Sequence, residues 1–226
     1  MTPTLENLRY EKKFVAEGFS LAEVLARVQR HPSVFREAYP PRIVNNIYLD
    51  SPTHRDYHNH INGAANRTKT RVRWYGQKFE ATVHPRLERK LKRGTVSGKE
   101  TYTLPPLSIN GDSLRSSLNG TFDSATMPAM LRSGLRHLQP ALFNRYYRHY
   151  FTSRDERFRL TVDSALQFTS VALNRWPVVR PGSAVPTVII ELKFGPELAG
   201  DAALLTNGLP FRLTRFSKYV AGMERI

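Results

Sequence analysis

Arg67-Thr68-Lys69-Thr70-Arg71-Val72-Arg73-Trp74-Tyr75 places Arg67, Lys69, Arg71, Arg73 and Tyr75 on one parity of a run rich in β-forming residues. Side chains of a strand alternate between two faces, so four cations share one face here. The pattern recurs along the chain. Arg9, Glu11 and Lys13 share a face in a strand predicted from Leu8 to Glu17, Glu88, Lys90 and Lys92 in the next, and Glu191 and Lys193 near the C-terminus. Arg145, Arg157, Arg159 and Asp163 are likewise all odd-numbered. A single charged strand face is ordinarily solvated. Repetition over successive strands is different: if the sheet closes, one set of faces points inward, and an interior of Arg, Lys and a few carboxylates is costly unless an anionic ligand and a metal occupy it. Such a tunnel suits a polyphosphate.

Between these strands lie helical signals. Ser20-Leu21-Ala22-Glu23 is a capping-box pattern that opens an amphipathic helix to about Arg30, stopped by Pro32. Residues 42–50 read as a second strand, and Asp50-Ser51-Pro52 turns into a short polar stretch ending near Gly63. From about 105 to 139 Met127, Met130, Leu131, Leu135 and Leu138 take helical spacing, a small insertion. Strands resume at 141–152, 158–163, 167–171 and 188–194, and Gly195-Pro196 starts a helix to about Asn207. No repeat or long linker divides the chain, and the expectation is one α+β domain over residues 1–226, built on a mainly antiparallel sheet.

With 34 Lys plus Arg against 19 Asp plus Glu, the net charge is +15, which favours a polyanionic partner. No window approaches the roughly 18 apolar residues of a membrane span, so a cytoplasmic chain is expected. The absence of cysteine excludes disulfides, thiolate metal sites and a cysteine nucleophile. No helix-turn-helix, zinc-finger or RNA-binding signature marks a nucleic-acid partner, and His54, His58 and His60 lack zinc spacing. Glu191, an acid inside Val188-Ile189-Ile190-Glu191-Leu192-Lys193, reads as a metal ligand; Glu11 and Glu88 read equally as ligands or as counter-ions, and Asp163 as a structural acid at a strand end. Trp74 and Tyr75 are assigned to packing.

Seven segments then occur in order: Arg9-Tyr10-Glu11-Lys12-Lys13-Phe14, Asn46-Ile47-Tyr48-Leu49-Asp50, Arg71-Val72-Arg73-Trp74-Tyr75-Gly76, Leu87-Glu88-Arg89-Lys90, Asn144-Arg145-Tyr146, Glu191-Leu192-Lys193 and Arg215-Phe216-Ser217-Lys218-Tyr219. Together they resemble the VTC domain, the polyphosphate polymerase domain of the vacuolar transporter chaperone complex, within the triphosphate tunnel metalloenzyme (CYTH-like) superfamily. The resemblance implies an antiparallel eight-stranded β-barrel with flanking helices, transfer of the γ-phosphate of ATP to a growing inorganic polyphosphate chain with release of ADP, and Mn2+ or Mg2+ as cofactor. It implies catalytic roles for Arg71, Arg73, Lys90, Arg145 and Lys218. Substrate contacts follow for Arg9, Lys13, Lys99, Arg159, Lys193 and Ser217, and metal ligation for Glu191, Glu11 and Glu88. Hydrolytic members carry Glu-x-Glu-x-Lys in the first strand, where this chain has Arg9 in place of the first glutamate; that departure favours the polymerase over a tunnel-type triphosphatase. A non-catalytic polyanion-binding module is the third reading, marked by exposed cations and indifference to divalent ions. The chain shows neither the regulatory SPX domain nor the membrane helices of the eukaryotic complex, so export of product would call on a separately encoded membrane partner.

Overall fold

A computed structural model describes residues 10–76, 82–94, 96–108, 113–171 and 184–226. In chain order these form β1 (Tyr10–Ala16), α1 (Leu21–Gln29), β2 (Arg36–Asp50), α2 (Arg55–Ile61), β3 (Asn66–Tyr75), β4 (Thr82–Val83), β5 (Arg86–Arg93), β6 (Val96–Thr103), β7 (Leu107–Ser108), α3 (Leu114–Ser124), α4 (Ala129–Leu135), β8 (Gln139–Thr152), β9 (Arg159–Ser170), β10 (Val188–Phe194), a 3-10 turn at Pro196–Leu198, α5 (Ala199–Asn207), β11 (Arg212–Thr214) and α6 (Lys218–Met223). The capping box forms as its residues dictate: Ser20 Oγ accepts from Glu23 N, and Ser20 N donates to the Glu23 carboxylate at 2.8 Å.

Nine strands make one antiparallel sheet in the order β11-β1-β10-β9-β8-β2-β3-β5-β6, while β4 and β7 pair apart from it. The expected eight-stranded closed barrel is therefore corrected to a nine-stranded open sheet, strongly curved into a tunnel. Among the described residues no ladder joins the two edge strands. The edges explain this: β11 is three residues long, and β6 is a polar, exposed strand that pairs only with β5. Curvature is measured by one contact. Lys90 of β5 lies 3.3 Å from Glu11 of β1, although six strand positions separate them, which in a flat sheet would span roughly 28 Å.

Helices cover the outer face in two groups. Val24 and Val28 of α1 and Ala202 and Leu205 of α5 pack on Phe14, Leu160, Val162, Ile190 and Leu192. Leu118 and Phe122 of α3 and Leu131 and Leu135 of α4 pack on Ile47, Val72, Trp74, Leu87 and Phe143. With one parity of each strand consumed by these cores, the other parity must face inward. Two departures from regular alternation matter here. The strands expected at 158–163 and 167–171 are one strand, β9, in which Ala165 adopts a positive φ of 51° and the register with β8 slips between Arg145 and Tyr147. The strand β2 also starts earlier than expected, with register shifts on either side of Tyr39; Pro40 and Pro41, which cannot donate to a ladder, lie in the second of them.

The end of the tunnel near α6 is fixed by Asp50. Its Oδ1 accepts from Ser51 N and Asp56 N, at 2.7 and 2.9 Å, and its Oδ2 from Tyr57 N at 2.9 Å and Tyr219 Oη at 2.5 Å. Tyr219 also stacks on Tyr48 with ring centroids 4.9 Å apart. One carboxylate thus joins β2, α2 and α6. Asp50→Ala leaves buried donors without acceptors and should cost about 3 kcal/mol; urea denaturation of the purified variant would contradict the assignment with a loss below about 1 kcal/mol.

Candidate active site

The inner face is built around four buried charges. Arg148 of β8 donates to Asp163 of β9 through Nε at 2.6 Å and Nη2 at 2.7 Å, a bidentate pair between register partners. Lys218, the first residue of α6, places Nζ 2.6 Å from Asp163 Oδ2 and 3.1 Å from Glu191 Oε1. Arg148 Nη2 closes the square at 3.5 Å from Glu191 Oε2. Tyr146 lies beneath both cations, 5.2 Å from the Arg148 guanidinium and 4.9 Å from Lys218 Nζ. Burial pushes Asp163 and Glu191 toward the neutral form, but Arg148 and Lys218, with Lys13 and Lys193 on Glu191, outweigh it and hold both carboxyls below their ordinary range. The same pairing raises Lys218 against its own burial.

Beside this square lies a second group, on β3, β5 and β6. Arg71 donates to Glu88 Oε2 through Nε and Nη2, at 2.9 and 2.6 Å. Arg73 Nη1 stands 3.4 Å from the same oxygen, and Lys99 donates to Oε1 at 2.7 Å. Arg73 is further fixed by Asn46 Oδ1 at 2.8 Å and Tyr146 Oη at 3.1 Å, and Asn46 in turn donates to Asn144 Oδ1. The Arg71–Arg73 pair is thus oriented before any ligand arrives.

A third group carries the excess positive charge. Lys13 lies 3.0 Å from Glu11 Oε1 and 3.8 Å from Glu191 Oε1, Lys90 lies 3.3 Å from Glu11 Oε2, and Lys193 stands 4.0 Å from Glu191. Burial and Glu191 push the Glu11 carboxyl up, yet Lys13, Lys90 and Lys193 bring it down to about 2. Lys69 of β3 donates to Ser217 Oγ at 2.9 Å and Lys13 to Phe216 O at 3.2 Å, so the turn before α6 lines this group.

The expected residues sort accordingly. Arg71, Arg73, Lys90, Lys218, Lys13, Lys99, Lys193, Ser217, Glu11, Glu88 and Glu191 come together on the inner face. Arg159, the register partner of Lys193, sits exposed at the start of β9 on the same face. Arg9 lies outside the described residues. Arg145 is the correction: it pairs in register with Asn45 and Gln167 and has the outward parity of Phe143, while Asn144, Tyr146 and Arg148 point inward. Arg148 is the inward arginine of that strand. Asp163 is also no strand-end acid but the fully buried centre of the square. Sequence reasoning gave no site role to Lys69, Arg148, Tyr146 or Asn46, although it placed Lys69 on the basic face with Arg71. Trp74 packs in the outer core as expected, and Tyr75 lies under the Arg42 guanidinium.

The sequence pattern that defines the VTC domain family matches residues 8–226, and the chain belongs to that family. Among curated proteins none matches. Two solved structures share the fold: the PH1819 protein of Pyrococcus horikoshii OT3, with 12% identity, TM-score 0.53 and coverage of 96% of this chain and 100% of that one, and a Vibrio parahaemolyticus protein named "putative adenylate cyclase", with 10% identity, TM-score 0.53 and coverage of 94% and 97%. The family and the curved sheet place the chain in the triphosphate tunnel type.

Members of that fold generally use divalent metals, and the inner face admits one in a particular way. Glu11 and Glu191, on neighbouring strands with Lys13 between them, are ionised oxygen donors suited to a hard cation. Among the described residues no three His, Asp or Glu side chains converge. The residues therefore fit an ion that arrives with phosphate oxygens, as Mg2+ characteristically does, and not one held by protein alone. Glu88 suits the counter-ion role better, because Arg71 and Lys99 hold its two oxygens at 2.6 and 2.7 Å, closer than any cation stands to Glu11 or Glu191. Among the described residues no helix is long and apolar enough to cross a membrane.

Depressed carboxyls contribute stability that is complete above their unfolded values and is lost as pH falls through the folded ones. For Glu11 that window runs from 4.5 down to about 2, and Asp163, Glu88 and Glu191 act in the same direction. Unfolding free energy measured in urea should therefore fall steadily below pH 4.5. Lys218→Met, which strips a partner from two buried carboxylates, should lower it by about 3–5 kcal/mol at pH 7. A flat acid profile, or a neutral substitution, would contradict the buried square.

Proposed function

We propose that the chain is a metal-dependent polyphosphate polymerase that transfers the γ-phosphate of ATP to the end of an inorganic polyphosphate chain and releases ADP. The observation that carries the reading is the inner face itself, where pre-oriented cations outnumber the carboxylates within a fold of the VTC family. A linear polyanion supplies the missing negative charge, and guanidinium forks match its oxygens.

The chemistry needs little more than this. An oxygen of the terminal phosphate of the chain attacks the γ-phosphorus in line, the bond from the γ-phosphorus to the bridging oxygen of ADP breaks, and that oxygen keeps the electron pair. The attacking oxygen is already ionised, so no general base is required. Arg71 and Arg73 align and neutralise the triphosphate, their orientation set by Glu88, Asn46 and Tyr146. Lys13, Lys90 and Lys193 balance charge on the transferred group and the chain, with Lys218 buried beneath them. A divalent cation, Mn2+ or Mg2+, when bound at Glu11 and Glu191, supplies further neutralisation of the phosphates. Arg9 in place of a first-strand glutamate supports transfer to phosphate over activation of water.

The experiment sets an inward arginine against the outward one. Arg71→Ala should lower ADP release from ATP at least about 100-fold with the fold intact by circular dichroism. Arg145→Ala should stay within about threefold of the parent, as befits a residue on the outer face. Equal losses in both variants, or none in Arg71→Ala, would contradict the assignment.

A further inference from the structure

Lys69, like Lys92 further along β5, differs from the other inward lysines of the described residues. Lys13, Lys90, Lys99, Lys193 and Lys218 each have a carboxylate within 4.0 Å. The Lys69 ammonium has none. Its one protein acceptor among the described residues is the neutral Ser217 hydroxyl, at 2.9 Å, leaving donors of a three-donor group unused in a part-buried position. Its surroundings repel it. Lys13 faces it from β1, Lys90 from β5, and Arg67 and Arg71 from its own strand. His60 faces it from α2, and burial together with Lys69, Arg67 and Lys90 keeps that imidazole neutral, its value down at about 3. The carboxylate on this side, Glu11, is already engaged by Lys13 and Lys90.

We infer that Lys69 is an anion-binding residue of the tunnel whose counter-ion is the bound phosphate chain itself, and that it takes up a proton as the chain enters. A part-buried ammonium crowded by cations is destabilised when no anion is bound; a phosphate oxygen beside it reverses the balance. Burial, then Lys13, Lys90, Arg71 and Arg67, hold the group at about 7 in the free protein. Being depressed, it is mostly neutral at pH 8 and charged at pH 6. An anion favours the charged form, so binding at pH 8 absorbs a proton and tightens as pH falls. The inference needs a phosphate polyanion in the tunnel and shares that premise with the polymerase reading, but it does not need turnover.

The test is titration calorimetry of the whole chain with inorganic tripolyphosphate, free of divalent metal, in two buffers of different ionisation enthalpy. Lys69→Arg keeps the charge and cannot release it, so at pH 8 the parent should absorb about one proton more than this variant, and the difference should shrink toward zero by pH 6. Lys69→Met removes the charge, and its loss of affinity should be about tenfold or more greater at pH 6 than at pH 8.5. Equal proton uptake by parent and Lys69→Arg at pH 8, or an equal loss in Lys69→Met at both pH values, would overturn the inference. Linked proton uptake in a protein that makes no polyphosphate from ATP would uphold it while removing the polymerase reading, and polymer synthesis without the proton difference would do the reverse.

Discussion

Everything on the inner face depends on the mutual neutralisation of Asp163, Glu191, Arg148 and Lys218. Each of these charges costs several kcal/mol to remove from water, and only close, hydrogen-bonded partners offset that cost. Three strands and a helix must therefore be in register for the interior to exist at all. Arg148 and Asp163 are set by the β8–β9 ladder, Glu191 by β10, and Lys218 by the docking of α6 on Asp50 and Tyr48. The square contributes position more than stability, because a buried lattice of this kind is matched or exceeded by an apolar core of equal volume.

Around that balanced centre the protein is deliberately unbalanced. Arg71, Arg73, Lys13, Lys90, Lys99 and Lys193 share too few carboxylates, and Lys69 has none. Self-repulsion of this kind persists only where the surrounding sheet enforces it, here through helices packed on the outer face that leave no freedom for strands to turn their charges outward. On the proposed reading, a bound polyanion discharges that repulsion. An open sheet edge between β11 and β6 does not weaken this, since Lys90 and Glu11 meet across the interior without a backbone ladder.

Much of this was legible in the amino acids. Alternating cations from Arg67 to Arg73 announced an inward basic face, the Ser20–Glu23 box located α1, and Glu191 stood out as an acid in an apolar strand. What the sequence concealed were the places where alternation breaks. Arg145 and Arg148 have opposite parity, and the choice between them rests on pairing with β2 and β9 that no local pattern records. The bulge at Ala165 split one strand into two apparent ones and made Asp163 look terminal. Closure was likewise overestimated, because strand count says nothing of whether the last edges meet.

The most direct measurement of the central claim is a product balance: purified protein with ATP and Mn2+ or Mg2+, with and without a short polyphosphate primer, resolving ADP, orthophosphate and polyphosphate separately. The proposed transfer to phosphate predicts ADP matched by phosphate in polymer. ADP matched by free orthophosphate would contradict it, and would make the tunnel a triphosphatase.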